Sequence, residues 1–597
     1  MMRAGLIALL AAACVPHPGG QCNSDADCGY GTTCQSRLCQ QPPPAVAWIS
    51  PDDGVWRTSG AVEIALSAEG SAAVLWAGTT QVPLQRDAGG VWRGSLDTSL
   101  LADGAWALTP RIDGRAGAPR KLNIDRTGPR IEIRVPQRLA YKRTETAHIT
   151  VTAIDDGAGI DESSLSLLAA GVAPLAPRKI GPHQFLFDLP LGQPTLPAMA
   201  ANIGLRVSAR DKLGNSGAAD GAIPVTRLLW RSDVGRGLPI RSSPALDGAR
   251  VYAGTDDGRI AAVDRATGVT VWSHSLRGPV SASPVRGELI YAASEGGEVV
   301  AIEPGTGALR WSCSDAAWLF LASPALAQLP GIGETLFLGN ASSLGAVRGG
   351  VLAVAQSFPG GGCAILGAYG GGPSSVSIAA DGTLYAGGMD RAVHALRFDD
   401  LTFRELWFAP AGDDVLGSPA VFVSGAVAAG DGAGNLMLLS AGAKLDSFAL
   451  GEKLLASPVI AFDTVLAQGR DGTLAPFAVP PQASQQAPQY VSQQLPAAGW
   501  IESTPAVGDD GTVYVAAGRS LRAIAPGGAL LWEAPLGGAA TASSPVLGCD
   551  GTLYIGDAWG ALTALATDSK GLAPGGWPRF RHDARNTGNS ASALCEK

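Results

Sequence analysis

The stretch WPRFRHDARNTGN, residues 577–589, concentrates side chains that could do acid–base chemistry. Charged residues make up only 16% of the chain. Yet six charged or imidazole side chains crowd into this stretch and just before it: Asp568, Arg579, Arg581, His582, Asp583 and Arg585. An imidazole beside a carboxylate is a pair that enzymes use to move protons. The other interpretation is structural, because the same groups could bond backbone where a fold closes.

Elsewhere the signals for catalysis are weak. The histidines are scattered, and the chain contains no HExxH, GxSxG or phosphate-binding GxxxxGK[ST] pattern. The acidic segment 153–164, AIDDGAGIDESS, could bind calcium, but it lacks the ligand spacing of a calcium loop, which favours a solvated turn. The glycine-rich segments 358–363 and 369–375 predict long loops. The loop 340–373 and the polar insert 480–494, which interrupt the regular pattern of the chain, predict the surfaces that face a partner. A general acid and base could still meet from distant segments.

The N-terminus predicts export. One arginine precedes the apolar run 4–13, which is too short to span a bilayer, so we predict a signal peptide over residues 1–13. Leu10-Ala11-Ala12-Ala13-Cys14 resembles a bacterial lipobox, which implies a lipid on Cys14. Ala11 stands where leucine is usual, so plain secretion and a cytoplasmic start stay open. No later segment reaches about 18 continuous apolar residues, so we expect the rest to be soluble.

Eight further cysteines indicate disulfides in an oxidising compartment. Four of them lie within residues 14–44, ahead of a proline-rich linker, and predict a small two-disulfide module: Cys22, Cys28, Cys34 and Cys39. Three pairings are possible, and a zinc site is disfavoured because no Cys-x-x-Cys occurs. The module resembles cysteine-rich stalks of bacterial envelope proteins. We expect Cys313 to pair with Cys363, and Cys549 with Cys595, which would fix the tail 591–597. The alternative is buried free thiols.

Residues 45–225 alternate between apolar and polar side chains in short runs separated by turns. This pattern predicts two antiparallel β-sandwich domains, at 45–127 and 128–225. The phrases IDRTGP and ARDKLGN resemble bacterial immunoglobulin-like domains of cell-surface proteins.

The remaining chain is repetitive. A hydroxyl residue followed by proline recurs mostly every 39 to 47 residues, and Ser375 fills the one vacant place without a proline. These eight hydroxyl residues, which we call the hydroxyl marks, indicate eight units: Ser243, Ser283, Ser323, Ser375, Ser418, Ser457, Thr504 and Ser544. Each unit holds four short strands, which predicts an all-β, eight-bladed β-propeller over residues 226–590. Tryptophans end the fourth strand of several units and predict packing between blades: Trp272, Trp311, Trp407 and Trp532. The last unit lacks a fourth strand, and the segment around Trp230 has its pattern, which predicts ring closure.

The units resemble the pyrroloquinoline-quinone (PQQ) type of propeller repeat. Quinone dehydrogenases of that fold use an Asp base, a calcium ion held by Glu and Asn, and often a disulfide between adjacent cysteines, which this chain lacks. The same repeat builds a non-catalytic outer-membrane assembly lipoprotein. The resemblance therefore implies a scaffold without a cofactor or metal that binds a protein or glycan of the envelope. A PQQ-dependent oxidoreductase and a polysaccharide hydrolase or lyase remain alternatives.

The opening stretch resembles a WPMFRHDxxxTG phrase that flanks such propellers. The resemblance implies that Trp577 and Phe580 pack, and that Arg581, His582 and Asp583 bond backbone at the closing seam. A net charge of −8 without a basic stripe makes nucleic acid an unlikely target. We expect a monomeric lipoprotein of the outer membrane, facing the periplasm or the cell surface, that contacts membrane only through its lipid.

Overall fold

The computed structural model describes most of the chain beyond the N-terminal segment. The described residues are 33–35, 38–40, 42–135, 141–142, 145–169, 172–191, 202–344, 347–356, 362–370, 374–478, 488–495 and 502–595. They form an all-β protein, and none of their helices has the length and apolarity to cross a membrane. The chain divides into two compact units. One comprises residues 1–137, 147–189 and 204–222, and the other comprises 138–146, 190–203 and 223–597.

Several predicted features fall outside the described residues. These are the signal peptide, Cys14, Cys22 and Cys28, and the loop segments 358–361, 371–373 and 480–487. Two short strands, Thr33–Gln35 and Leu38–Gln40, pair antiparallel and place the backbones of Cys34 and Cys39 opposite each other. The side chains of these two cysteines also lie outside the description.

Residues 47–124 form one continuous nine-stranded sheet. Its strands are Ala47–Ser50, Val55–Arg57, Ala61–Ser67, Ala73–Ala77, Thr80–Arg86, Trp92–Asp97, Gly104–Ile112, Arg115–Ala116 and Arg120–Ile124, with one 3-10 turn at Thr98–Leu100. Thr80–Arg86 pairs with strands on both of its sides and so joins the two halves of the sheet. Apolar residues of both halves, among them Leu66 and Leu108, share one buried core, so the sheet curls over itself.

Residues 130–226 form two four-stranded sheets. One contains Arg130–Arg134, Thr146–Ile154, Gln184–Pro190 and Arg178–Gly181, and the other contains Tyr141–Lys142, Ser216–Thr226, Asn202–Asp211 and Ile160–Ala169. Alternate residues of Thr146–Ile154 and of Asn202–Asp211 are buried, as expected for sheets with one face in a core. The division between the two predicted domains at residue 127 stays a prediction.

The larger unit contains eight four-stranded antiparallel sheets, which we call propeller sheets 1 to 8. Their strands, in chain order, are: sheet 1, Ala245–Leu246, Arg250–Thr255, Arg259–Asp264 and Thr270–Ser275; sheet 2, Val285–Arg286, Ile290–Ala293, Glu298–Ile302 and Leu309–Ser314; sheet 3, Ala325–Leu329, Gly333–Leu344, Val347–Gln356 and Cys363–Gly370; sheet 4, Ser377–Ile378, Leu384–Gly387, Ala392–Asp399 and Thr402–Pro410; sheet 5, Ala420–Val421, Val427–Gly430, Asn435–Ser440 and Ala443–Ala449; sheet 6, Val459–Ala461, Thr464–Gln468, Thr473–Ala478 and Gln493–Gln494; sheet 7, Ala506–Val507, Val513–Ala517, Ser520–Ile524 and Leu530–Pro535; sheet 8, Val546–Leu547, Thr552–Gly556, Ala561–Ala566 and Leu228–Asp233.

The middle strands of these sheets are buried on both faces. Arg250–Thr255 and Thr552–Gly556, for example, have almost every residue buried, because another sheet covers each side. Tight turns join the strands, and glycine at Gly258 supplies the positive φ of +83° that such a hairpin corner needs.

The sheets close into a ring, because the fourth strand of sheet 8 comes from the start of the unit. Leu228–Asp233 pairs antiparallel with Ala561–Ala566, more than 300 residues later. Sheets 8 and 1 also meet at their inner strands, where the amide of Ser544 donates to Oγ of Ser243 at 2.9 Å. A closed ring of four-stranded sheets is a β-propeller.

Tryptophans on the fourth strands pack within a sheet and against the next one. Trp272 lies 5.9 Å from the ring of Tyr252 in its own sheet, and its indole N–H donates to the carbonyl of Pro304 in sheet 2. Trp230, Trp311, Trp407 and Trp532 make the same pairing with the tyrosine of their own sheets. A Cβ on Gly307 would contact the ring of Trp272 at 2.7 Å, so only glycine lets the two sheets approach this closely.

Candidate functional site

The strongest candidate for a functional site is a cavity of about 360 Å³ on the axis of the propeller, which we call the axial well. All eight hydroxyl marks of the repeat line it, together with Phe580 and the residues that precede each mark. Every one of the eight is at least nine-tenths buried. Residues that stand about 40 positions apart in the sequence therefore converge on one wall.

Hydrogen bonds between neighbouring marks hold this wall together. In seven of the eight steps around the ring, the backbone amide of one mark donates to the hydroxyl oxygen of the next, at 2.8 to 3.0 Å. Between sheets 4 and 5 the hydroxyl of Ser377 donates to the carbonyl of Pro419 at 2.6 Å. The hydroxyl of every mark except Ser418 is thus explained by a bond from the adjacent sheet.

The rim of the axial well has a polar and an apolar side. Seven lining residues stand two positions before a mark: Arg241, Ser281, Leu321, Leu416, Leu455, Glu502 and Ala542. Leu321, Leu416 and the neighbouring Met389 are 49%, 43% and 41% exposed, so they present apolar surface at the opening.

Among the described residues that line the well, Arg241 and Glu502 are the two that titrate, and Arg241 is already paired. Its guanidinium lies 2.8 Å from Asp256 and 2.7 Å from Glu295. Burial disfavours the charged form of Arg241, but the bonds and charges of these two carboxylates leave its pKa raised. The pKa of Asp256 is also raised, because burial and the nearby Glu295 and Asp257 outweigh Arg241. Carboxylates therefore outnumber cations on the polar side of the rim.

The far end of the well is closed by residues 577–589, which we call the C-terminal strap. Backbone carbonyls of the strap accept amide hydrogens from the first strands of six sheets, at 2.8 to 2.9 Å. The amide donors are Leu246, Arg286, Leu326, Ile378, Ile460 and Val507. The strap therefore crosses the axis instead of lying along the seam of sheet 8, where the resemblance had placed it. Phe580 of the strap forms the floor of the well.

Polar side chains of the strap bond the carbonyl groups that point toward the axis. Arg581 donates to the carbonyls of Pro324 and Val376, at 2.5 and 2.6 Å, and Arg579 donates to that of Pro545 at 3.4 Å. The amide nitrogen of Asn586 lies 3.0 Å from three carbonyl oxygens, those of Ser243, Pro244 and Pro284. Buried carbonyls need such donors, since an unpaired one costs about 1–3 kcal/mol.

Burial sets the electrostatics of the strap. Arg579 and Arg581 are fully buried, and loss of water lowers the pKa of each to about 9, against the opposing charge of Asp583. Both guanidinium groups therefore stay charged at neutral pH. Asp583 is buried and bonds the amide and hydroxyl of Thr587, while His582 contacts Asp583 at 3.2 Å and packs on Trp577. The imidazole and carboxylate of this stretch, His582 and Asp583, are thus engaged within the strap, while Asp568 pairs with Arg227 at 2.7 Å.

Two disulfides lie in this unit. Cys313 is bonded to Cys363, which links sheets 2 and 3, and Cys549 is bonded to Cys595, which ties the residues after the strap to sheet 8. The Cα atoms of each pair are 5.6 Å apart.

Among the described residues, one group of three carboxylates could hold a metal ion. Oxygens of Asp125, Asp155 and Asp211 lie within 4.8 Å of one another in the smaller unit. Each already accepts backbone amides: Asp155, for example, from Gly157 and Gly159 at 3.1 and 2.6 Å. Burial raises the pKa of Asp155, and the charges of Asp125 and Asp211 raise it further, while the amides oppose this shift. These hydrogen bonds give each carboxylate a structural role, because each one fixes the backbone of a turn.

The lining of the axial well does not fit pyrroloquinoline quinone. That cofactor is a polyanion, and its one cationic neighbour here, Arg241, is already shared by two carboxylates. The sequence also has no pair of adjacent cysteines. The lining does offer hydroxyl donors, apolar surface and one aromatic ring, which are groups that bind a ligand.

Comparison with known families agrees with the architecture. Residues 221–360 match a family model described as outer membrane protein assembly factor BamB. The repeats within these residues are PQQ-type propeller repeats. The match covers propeller sheets 1 and 2 and most of sheet 3, so it identifies the repeat rather than the whole chain.

Three solved structures that are similar to this chain each cover 57% of it. BamB from Moraxella catarrhalis is 16% identical over its full length, with a TM-score of 0.43. The computationally designed Ika8 protein is 16% identical over its full length, with a TM-score of 0.44. Sqt1 from Chaetomium thermophilum is 13% identical over 99% of its chain, with a TM-score of 0.45. No curated protein matches the chain.

Sequence reasoning identified the marks and the strap but missed what they build together. The rim residues have no shared type, and only their constant offset of two positions before each mark could have singled them out. Asp125 and Asp211 were missed as neighbours of Asp155, because residues far apart in a chain give no local signal of contact.

Proposed function

We propose that this chain is a non-catalytic binding protein of the bacterial cell envelope, whose propeller binds a protein or glycan partner. The axial well carries this proposal. It is a cavity of about 360 Å³ with hydroxyl, apolar and aromatic lining, closed at one end and open at the other. A general acid and base need two titratable groups at the reacting bond. Here Arg241 is held by two carboxylates, which leaves Glu502 as the one unengaged titratable group in the part of the lining that the structure describes.

The match to the family described as outer membrane protein assembly factor BamB supports a place in the envelope. In this proposal the eight propeller sheets are the blades of one ring, closed by the strand Leu228–Asp233 and plugged by the strap. The two sandwich modules are immunoglobulin-like spacers, and the cysteine-rich segment is a stalk attached through a lipid on Cys14. The protein acts as a monomer without a cofactor.

Site-specific crosslinking from the rim tests the proposal. A photo-crosslinking residue at Leu416, 43% exposed on the rim, should capture a defined protein or glycan in the native envelope. The same residue at Val423, 84% exposed at a turn between the first two strands of sheet 5, is the matched control. A species captured at both positions equally, or at neither, would contradict binding through this rim.

Three further experiments address catalysis and attachment. Purified protein that retained quinone and calcium and oxidised an alcohol or a sugar would replace the proposal with the oxidoreductase alternative. Turnover of a polysaccharide would replace it with the hydrolase or lyase alternative. A Cys14→Ala variant should leave the membrane fraction, and a variant that stays with membranes would contradict the lipid anchor.

A further inference from the structure

The wall of the axial well offers hydrogen-bond donors that the protein does not use. A hydroxyl group has one donor and two acceptor lone pairs. Seven of the eight marks accept a backbone amide, and within the described residues none of the eight donates its own hydrogen to a protein group. The hydroxyl of Ser281, also in the lining, is buried without any partner among the described residues. Buried donors of this kind require acceptors from a ligand or from water.

The charges at the rim select against an anion as that ligand. Asp256 and Glu295 both bond the guanidinium of Arg241, and the carboxylate of Glu502 lines the same well. A carboxylate or phosphate entering the well would pass like charges at short range. A neutral ligand with many oxygens meets no such barrier, and its own hydroxyls can donate to the exposed carboxylate of Glu502.

The floor and the apolar side favour a compact ring with a nonpolar face. Phe580 presents an aromatic ring at the bottom, and Leu321, Met389 and Leu416 cover one side of the opening. The electron-rich face of an aromatic ring attracts the weakly positive C–H groups of a sugar. About 360 Å³ lies near the small end of ligand sites, enough for one sugar unit or little more.

We propose that the axial well binds the terminal neutral hexose of a glycan, end-on. The hydroxyl wall donates to the sugar oxygens, Glu502 accepts from a sugar hydroxyl, and the pyranose face packs on Phe580. Only a chain end can enter, because the strap closes the far side of the well. This inference rests on the proposed function, of which it specifies the ligand.

Binding of free sugars to the full-length protein tests the proposal. The probes are D-glucose, D-galactose and N-acetylglucosamine, with glucuronate as the matched anion, measured by saturation-transfer NMR and calorimetry. We expect at least one neutral sugar to bind with one site per chain, and glucuronate to bind at least several-fold more weakly. Ala542→Trp, which places a large ring in the rim, should weaken that binding by about tenfold or more.

Two variants complete the design. Val423→Trp adds the same ring far from the well, at a residue that is 84% exposed, and should bind sugar like the wild type. Phe580→Leu keeps an apolar floor without the aromatic face and should weaken binding several-fold while the strap remains in place. Melting temperatures of all variants show whether each remains folded.

The outcomes separate the two proposals. No binding of any neutral sugar, preference for glucuronate, or binding unchanged by Ala542→Trp would overturn the sugar site. If crosslinking from Leu416 still captures a protein partner in that case, the proposed function stands and only this inference fails. If neither sugar nor partner is bound, both fail.

Discussion

Replacing Trp577 with alanine should destabilise the propeller strongly, because the strap is held by this side chain as well as by hydrogen bonds. Trp577 is 1% exposed and shares a core with Tyr385, Val427 and Ile460, which belong to sheets 4, 5 and 6. A buried tryptophan removes about 150–250 Å² from water, which corresponds to roughly 4–6 kcal/mol at about 25 cal/mol per Å². Measured substitutions of this type cost about 3–5 kcal/mol.

Calorimetry of the full-length protein measures this loss. We expect the melting temperature of the propeller transition to fall by several degrees, since each kcal/mol shifts a large domain by about 2–4 °C or less. The control is Trp559→Ala, which removes the same side chain from a site that is 57% exposed. It should change stability by about 1 kcal/mol or less, because the main contact of this ring is a surface cation–π contact with Arg519.

The pair of variants decides whether the strap stabilises the fold or forms part of a ligand site. If Trp577→Ala melted like the wild type but lost its partner or sugar, the strap would act in binding and the structural reasoning would be refuted. If both tryptophan variants lost equal stability, burial of Trp577 would not explain the effect.

Three other predictions concern the strap and the smaller unit. Gly588→Ala should lower the free energy of unfolding, measured by chemical denaturation, clearly more than Gly575→Ala. Both glycines have positive φ, which costs an alanine about 1–2 kcal/mol, but only at Gly588 would the added Cβ collide with the guanidinium of Arg581. Equal losses in the two variants would show that this collision does not matter. Replacing Cys549 and Cys595 together by serine should lower the free energy of unfolding by up to about 4 kcal/mol, as expected for a disulfide that closes a loop over 46 residues. A loss near zero under oxidising conditions would show that the strap does not need this disulfide. Asp155→Asn should raise the free energy of unfolding at neutral pH. The pKa of Asp155 is raised in the native state, so the wild-type protein loses stability as the pH rises above 3.8 and the carboxylate ionises. The difference between variant and wild type should disappear in acid, and a gain in stability that does not depend on pH would contradict this reasoning.

Much of the propeller could be predicted because its repeats carry a local signal. The step from Ser243 to Ser283 and onward marks the start of each sheet, and the turns and strand patterns between the marks are short-range features. The all-β class and the PQQ-type repeat are confirmed on that basis. The fold of residues 47–124 was less predictable: alternation along Ala61–Ser67 predicts a strand, but it does not say that Thr80–Arg86 joins two half-sheets into one.

The site was only partly predictable, because convergence is a property of the closed ring. The sequence shows Phe580 beside two arginines, and it allows two interpretations of this stretch: an active site, or a segment that closes the fold. Nothing local says that Phe580 faces the axis while Arg581 reaches the carbonyls of Pro324 and Val376. Those bonds join residues more than 200 positions apart, and their partners are backbone groups, which carry no residue-type signal.

The position of the strap in the chain has a consequence for how this protein can fold. Sheet 8 needs the strand Leu228–Asp233 at one end of the unit, and six inner strands need carbonyls from residues 577–588 at the other. Contacts between such distant segments form late, because closing a long loop costs entropy before the contacts repay it. While the chain is still being synthesised, the ring is therefore open and the amides of these inner strands lack their acceptors. The molecule can complete this buried polar network only after residues 577–588 have been synthesised.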